Sequence, residues 1–408
     1  MSQRSPVDGK VFTQAARSTQ EDIDLALDAA HEAFPAWSNT SATERSNALL
    51  KIAQVMEDNL EYLASLETID NGKPIRESLA ADIPYCIDHF RYFAGVIRAD
   101  EGSISEHDKD TVGVLNIVTG FGKEAGAALA TSNRIAKLSF TGSTETGRIV
   151  LHNAAENIIP VTMELGGKSP NIFFPSVAAQ DDEFFSKAIE GALMFALNQG
   201  EICTSPSRIL VHEDIADRFV EKMQERLKLV KPGNPLDPET MIGSQVSKAQ
   251  YEKILNYIKI GIEEGAAVLA GGEAGNYEGE LAEGYYVQPT VLKGDNKMRV
   301  FQEEIFGPVV ALTTFKTTEE AITIANDTPY GLGAGVWSRD AHELYQVPRA
   351  IQAGRVWVNQ YNTYPAHAPF GGVKESGFGR ENHKMALDHY RVVKNMLISY
   401  DKKPMGFF

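Results

Sequence analysis

The sequence predicts an α/β fold with mostly parallel sheets, and three observations carry that prediction. The first third of the chain is patterned for helices. From Val112 onward, short β-rich runs alternate with helical runs, which favours parallel strands joined through crossover helices. The chain has 408 residues, of which 43% are hydrophobic and 23% charged. That is the make-up of an ordinary globular protein with enough mass for two or three domains.

In order along the chain, Ser18 with Glu21 and Ser41 with Glu44 read as capping boxes that open two helices. The second helix carries Leu49, Leu50, Ile52, Ala53, Met56, Leu60 and Leu63 on an apolar stripe, and Asn71-Gly72 ends it. A third helical region, 77–99, contains Pro84 and the run CIDHFRYFAGVI, whose aromatic spacing reads as buried packing. Cys86 lies in that run and reads as a structural core thiol. The predicted strands are VLNIVTG, KLSFTGS, VTMEL, NIFFP, RILVH, AAVLAGG, YYVQPTVL, VVALTTF, AGVWS and RVWVN. No internal repeat and no low-complexity linker interrupts them.

Composition also excludes function classes. The formal net charge is −16, and no basic run offers a polyanion a local foothold, so nucleic acid is not an expected partner. No apolar stretch approaches the roughly 20 residues of a membrane span, and the start MSQRSPVDGK lacks the apolar region of a signal peptide. The expected location is therefore the cytoplasm, away from membranes. The two cysteines cannot build a disulfide framework and lack the spacing of a zinc site, so no metal is expected. Any cysteine chemistry here needs a free thiol.

Four stretches are candidates for a site. Gly120-Phe-Gly122-Lys-Glu-Ala-Gly126 follows a strand-like run and precedes a helix. It resembles the dinucleotide fingerprint with one residue too many before the last glycine, and reads equally as a tight strand-to-helix turn. FTGSTETG repeats the arrangement, with Gly142-Ser143 ahead of a helix whose free N–H groups could meet a phosphate. MELGGKSP is not a phosphate loop, because the required first glycine falls on Thr162. It does place Glu164 at the end of an apolar strand, either solvated there or kept for acid–base work. Cys203, in LNQGEICTSPSR, follows a helical run and sits in a loop between a glycine and a proline. It is either a packed thiol or a nucleophile that needs a base.

Taken together, FTGSTETG, MELGGKSP, NQGEICTSPSR, EEIFGPVV, NDTPYGLGAGVWSRD and PFGGVKESGFGRE resemble, in order, the motif set of the NAD(P)-dependent aldehyde dehydrogenase superfamily. NKMRVFQEEIFGP and YPAHAPFGG look closest to its bacterial acetaldehyde dehydrogenases, implying a short aliphatic aldehyde as substrate. The resemblance implies a Rossmann-type cofactor domain, an α/β catalytic domain and a small oligomerisation strand region. It makes Cys203 the nucleophile and Glu164 the general base, with the Cys203 N–H as half of an oxyanion hole. For an NAD cofactor, or NADP in its place, it sets Gly122 and Gly126 near the adenine and Gly142 and Ser143 at the helix end facing the pyrophosphate. Leu165 and Gly166 approach the nicotinamide, Glu304 binds its ribose and Phe306 packs beside the ring. The segment 394–400, KNMLISY, resembles the strand through which family subunits join, implying a homodimer or homotetramer.

The implied domains are residues 1–164 (N-terminal helices and cofactor domain), 165–376 (catalytic domain) and 377–408 (C-terminal return). Part of an oligomerisation hairpin falls near 103–111. The chain departs from the family pattern at Thr111-Val112, where about two strand–helix units, on the order of 60 residues, are missing. The missing piece carries the asparagine that donates the second oxyanion bond and the lysine that binds the adenosine ribose. Its absence leaves the cofactor domain incomplete and strands without pairing partners. The sequence thus supports a dehydrogenase, with a truncated relative lacking that activity, confined to a structural role or residual ester hydrolysis, as the alternative.

Overall fold

The computed structural model describes residues 1–99 and 114–407. The 103–111 hairpin and the Thr111-Val112 junction lie outside the described residues. Two sheets organise the rest. The larger has seven strands in the order Arg355–Val358, Gly333–Trp337, Pro170–Phe173, Arg208–His212, Val309–Phe315, Thr290–Lys293 and Ala267–Ala270. Every neighbouring pair in it is parallel except the last, where Ala267–Ala270 runs antiparallel at the edge.

Its strands are apolar on both faces because both faces are covered. With a side-chain period of two, Phe173, Val211 and Trp337 point to one side, where they pack with Phe185 and Phe219 of helices Glu183–Leu193 and Ala216–Leu227. Their neighbours Ile172, Leu210 and Val336 point to the other, against Ala321, Ala325 and Val347 of helices Thr318–Asn326 and Ala341–Ala350.

The smaller sheet has three strands: Gly377–Phe378 antiparallel to Val161–Glu164, which is in turn parallel to Leu138–Thr141. The five residues 165–169 lead from the C-terminal end of Val161–Glu164 straight into the N-terminal end of Pro170–Phe173. The two sheets therefore meet end to end, and the loops that enter the large sheet face the end of the small one.

The helical third packs through Ala53, Ala64, Ile83 and Ile87, with Met56, Leu60 and Leu63 against them. Ser41 and Glu44 form the expected capping box of helix Ala42–Asp58, and Gly72, at φ 85°, ends helix Leu60–Asn71 in the left-handed conformation. Ahead of Pro84 the helix passes through a π turn, Ser78–Asp82, in which the Ile83 N–H reaches back to the Ser78 carbonyl. Proline lacks the N–H that would continue the α register.

Several sequence expectations are corrected. The first capping box is Thr19 with Asp22, whose carboxylate accepts the Thr19 N–H at 2.8 Å. Ser18 instead gives its own N–H to the Thr119 carbonyl. The stripe of the second helix is not wholly buried, since Leu50 and Ile52 are exposed, and Leu60 and Leu63 belong to the next helix, Leu60–Asn71. Cys86 is exposed, because helix Ile83–Ala99 turns Ile83, Ile87 and Ala94 inward and leaves the thiol off that face. YYVQPTVL contributes only Thr290–Lys293 as a strand.

The run VLNIVTG forms no strand over its described residues, and Leu115 and Ile117 are 78% and 83% exposed. A strand exists through its neighbours' backbone groups, and the strands that the family resemblance sets beside this run are the ones missing at Thr111-Val112. KNMLISY is likewise extended coil, with Met396, Leu397 and Tyr400 exposed.

Candidate active site

Glu164 is the last residue of its strand, paired across to Thr141 on one side and Gly377 on the other. Its carboxylate is buried, and neither oxygen has a hydrogen-bond partner among the described residues. The backbone of Gly371 lies against it, with Arg380 close by: a Cβ at Gly371 would stand 2.9 Å from Glu164 Oε1 and 3.0 Å from Arg380 Nη1. Burial first, and then the Glu381 charge, push the Glu164 carboxyl up to about 8, with Arg380 opposing.

The loop that follows is pinned from three sides. Leu165 gives its N–H to the Ser376 carbonyl at 3.0 Å, and the Ser376 hydroxyl bonds the Gly166 carbonyl at 2.6 Å. Gly167 gives its N–H to Glu304 Oε1 at 2.9 Å. The glycines here are required by close approach. A Cβ at Gly166 would lie 2.4 Å from Glu304 Oε2, and one at Gly167 would lie 2.5 Å from the Cys203 carbonyl oxygen.

Cys203 is partly buried, two residues after Glu201 and one before Thr204. Its thiol is pushed up to about 12, first by burial and then by the nearby charges of Glu304 and Glu164. A thiol so placed stays protonated at neutral pH unless a base takes its proton. Thr204 is held by two tyrosines: Tyr361 donates to its carbonyl at 2.8 Å, and the Tyr364 and Thr204 hydroxyls bond each other. Beside it, Lys168 is wholly buried with no partner for Nζ among the described residues, and burial brings it down to about 7.

The structure thus brings Glu164, Leu165, Gly166, Cys203 and Glu304 together at the junction of the two sheets. Gly142 adjoins them, giving its N–H to the Glu164 carbonyl at 3.1 Å. Ser143 caps helix Thr144–Glu156 by accepting the Thr146 N–H. Phe306, at φ 58°, is fixed through its carbonyl by Gln250 at 2.6 Å. Gly122 and Gly126 bound a π turn whose Ala125 packs with Ile23 and Leu27 of the first helix. A carboxylate anchored like Glu304 can accept bonds from sugar hydroxyls over the gap at Gly166, so the residues fit the nicotinamide-ribose end of a dinucleotide. At the other end the small sheet stops at Leu138–Thr141, which pairs on one side among the described residues.

The sequence motif for the aldehyde dehydrogenase family matches residues 1–112 and 111–396. The chain belongs to that family. The match breaks where the sequence departs from the family pattern, at Thr111-Val112. An aldehyde dehydrogenase of Deinococcus radiodurans is 56% identical over 467 aligned positions, covering 99% of this chain and 90% of that protein. A long-chain-aldehyde dehydrogenase of an Acinetobacter is 55% identical and acetaldehyde dehydrogenase 2 of Cupriavidus necator 53%, each covering 99% of this chain and 92% of that protein. Because 467 positions exceed the 408 residues here, a run of each relative has no counterpart in this chain. Among solved structures, a betaine aldehyde dehydrogenase of Staphylococcus aureus in complex with NAD+ superposes with a TM-score of 0.94 at 31% identity, covering 100% of this chain and 94% of that one. The relatives' names lend no support to a truncated, inactive reading. Family membership makes the chain an oxidoreductase acting on aldehydes. Among the described residues, no helix is long and apolar enough to cross a membrane.

Sequence reasoning missed Tyr361, Tyr364, Lys168 and Arg208. Arg208 is fully buried and bonds the Lys168, Ile324 and Ala325 carbonyls and Asn296. The arginine of TSPSR and the lysine of GGKSP were visible, but the groups that hold Arg208 come from 40 to 117 residues away in the chain.

Proposed function

We propose that this aldehyde dehydrogenase oxidises a short aliphatic aldehyde of the acetaldehyde kind to its carboxylic acid, with NAD, or NADP in its place, as cofactor. The observation that carries the reading is the convergence of Cys203 and Glu164 on one junction, beside a Glu304 fixed to the intervening loop. The S. aureus neighbour solved with NAD+ supports the cofactor, and the C. necator relative's name supports the small aldehyde.

The Cys203 thiol gives its proton up to a solvent base, and the thiolate adds to the aldehyde carbon. The C–S bond forms while the carbonyl pair moves onto oxygen, where the Cys203 N–H meets it. Gly142, Ser143, Leu165, Gly166, Glu304 and Phe306 would hold NAD, which would supply the acceptor for the hydride leaving this carbon. The carbonyl re-forms as a thioester on Cys203. Glu164 then takes a proton from water, whose oxygen attacks the thioester. The C–S bond breaks, the sulfur leaves with the electron pair, and the acid departs. The unpartnered oxygens of Glu164 and its raised proton affinity suit a base that works as pH rises through about 8.

The exposed residues Val392, Val393, Met396, Leu397 and Ile398 support a strand that pairs with a second copy, giving a homodimer or homotetramer. The test of the chemistry is mass spectrometry of Glu164→Gln incubated with acetaldehyde and NAD. An acyl adduct on the Cys203 peptide is expected, while an unmodified peptide in a variant that still forms NADH contradicts the mechanism. A higher kcat/KM for decanal than for acetaldehyde overturns the substrate assignment.

A further inference from the structure

The nucleophile loop is held in an unusual shape. After Leu197 the chain passes through Asn198 (φ 48°), Gln199 (φ 44°) and Gly200 (φ 76°), three successive residues in the left-handed region. Two of them carry side chains, and each such residue costs roughly 1–2 kcal/mol. The surroundings must therefore hold this turn in place.

Three grips are visible. Gly200 is wedged against the loop before Val309, where a Cβ would come within 2.0 Å of the Gly307 carbonyl carbon. Glu201 turns its carboxylate onto the Val246 N–H, at 3.0 Å from Oε1, and Gln245 bonds the Gln199 carbonyl at 3.3 Å. The third comes from far away in sequence: the Asn198 N–H donates to Glu77 Oε2 at 2.9 Å.

Glu77 is itself well anchored. It ends the short helix Ile75–Glu77, just after the Gly72 turn. Gly72 is pressed against Ser244, whose Oγ would lie 2.4 Å from an added Cβ, and Ile75 gives its N–H to the Pro235 carbonyl at 2.8 Å. Lys73, paired with Asp82 at 2.9 Å and Glu67 at 3.1 Å, braces the same turn. The turn that carries Glu77 and the nucleophile loop thus rest on one stretch, 235–246.

We propose that Glu77 is a positioning residue for Cys203: its carboxyl oxygen fixes the Asn198 N–H and so holds the left-handed turn that sets where the thiol stands. The inference rests on the reading of Cys203 as nucleophile. Burial pushes Glu77 up to about 8, so near neutral pH its carboxyl is largely uncharged, and a neutral acceptor oxygen performs the task. An amide supplies the same oxygen.

The experiment compares Glu77→Gln, which keeps an acceptor, with Glu77→Met, which keeps the volume without one, in the full chain. Both are made in a Cys86→Ser background, so that iodoacetamide reports on Cys203 alone. Glu77→Met is expected to lower kcat about 10-fold with both KM values within about two-fold, and to change the alkylation rate several-fold. Glu77→Gln is expected to stay within about two-fold of the parent in both. Parent-like behaviour of Glu77→Met, or a Glu77→Gln as impaired as Glu77→Met, overturns the proposal. A Cys203→Ala variant that still makes NADH instead overturns the nucleophile reading, and the alkylation comparison then still decides on Glu77. Melting curves restrict the comparison to temperatures at which each variant is folded.

Discussion

The Glu304 carboxylate accepts the Gly167 N–H at 2.9 Å and lies directly over Gly166. This ties the loop after the base to the loop 137 residues further on, and it makes the carboxylate's position depend on Gly166 having no side chain.

Gly166→Ala puts a Cβ 2.4 Å from Glu304 Oε2, the movable end of a side chain. The protein is expected to fold with little loss while KM for NAD rises about 10-fold, because Glu304 is pushed off its place. Gly200→Ala meets backbone at 2.0 Å and adds left-handed strain at φ 76°. It is expected to cost the fold more than about 2 kcal/mol. NAD titrations and melting curves separate the two.

Glu164 sets a pH dependence of known sign. Protonated below about 8, it cannot take a proton from water, so kcat is expected to rise with pH through that region. Glu164→Gln is expected to flatten the profile and lower kcat about 100- to 10,000-fold. A profile that keeps its limb in the glutamine variant assigns the limb to another group.

The same shift bears on stability. The folded Glu164 binds its proton more tightly than the unfolded group, whose ordinary value is 4.5. Stability therefore falls as pH rises from about 4.5 to about 8. Glu164→Gln is expected to match the parent near pH 4 and to exceed it by about 1–2 kcal/mol at pH 9. Denaturant midpoints at the two values check this, and a variant less stable at pH 9 contradicts it. Glu77 and Glu201, also raised by burial, add to the parent's decline in the same direction.

Arg208 is a buried cation whose bonds satisfy three backbone carbonyls and Asn296. Arg208→Ala is expected to cost about 3–5 kcal/mol, read as a shift in denaturant midpoint. Ile117→Glu, at an 83% exposed site, is expected to change stability by no more than about 0.5 kcal/mol. A large loss there would show that the segment is buried.

Much of this fold was legible because strands such as RILVH and VVALTTF are apolar throughout, as a sheet covered on both faces requires. VLNIVTG has the same composition and forms no strand over its described residues, because composition cannot supply the missing neighbours. Glu164, at a strand end, and Cys203, in a loop after a helical run, stood out as candidates in the sequence, but their roles came only through the resemblance to the family. Glu77 and Tyr361 did not stand out, since each acts through a contact with the nucleophile loop from a distant part of the chain.

The central claim is most directly tested by following NADH formation from NAD and acetaldehyde with the purified chain and its Cys203→Ala variant. The expected result is steady NADH production by the parent and none by the variant. A folded parent that forms no NADH with any aldehyde, using NAD or NADP, or an alanine variant as active as the parent, would contradict it.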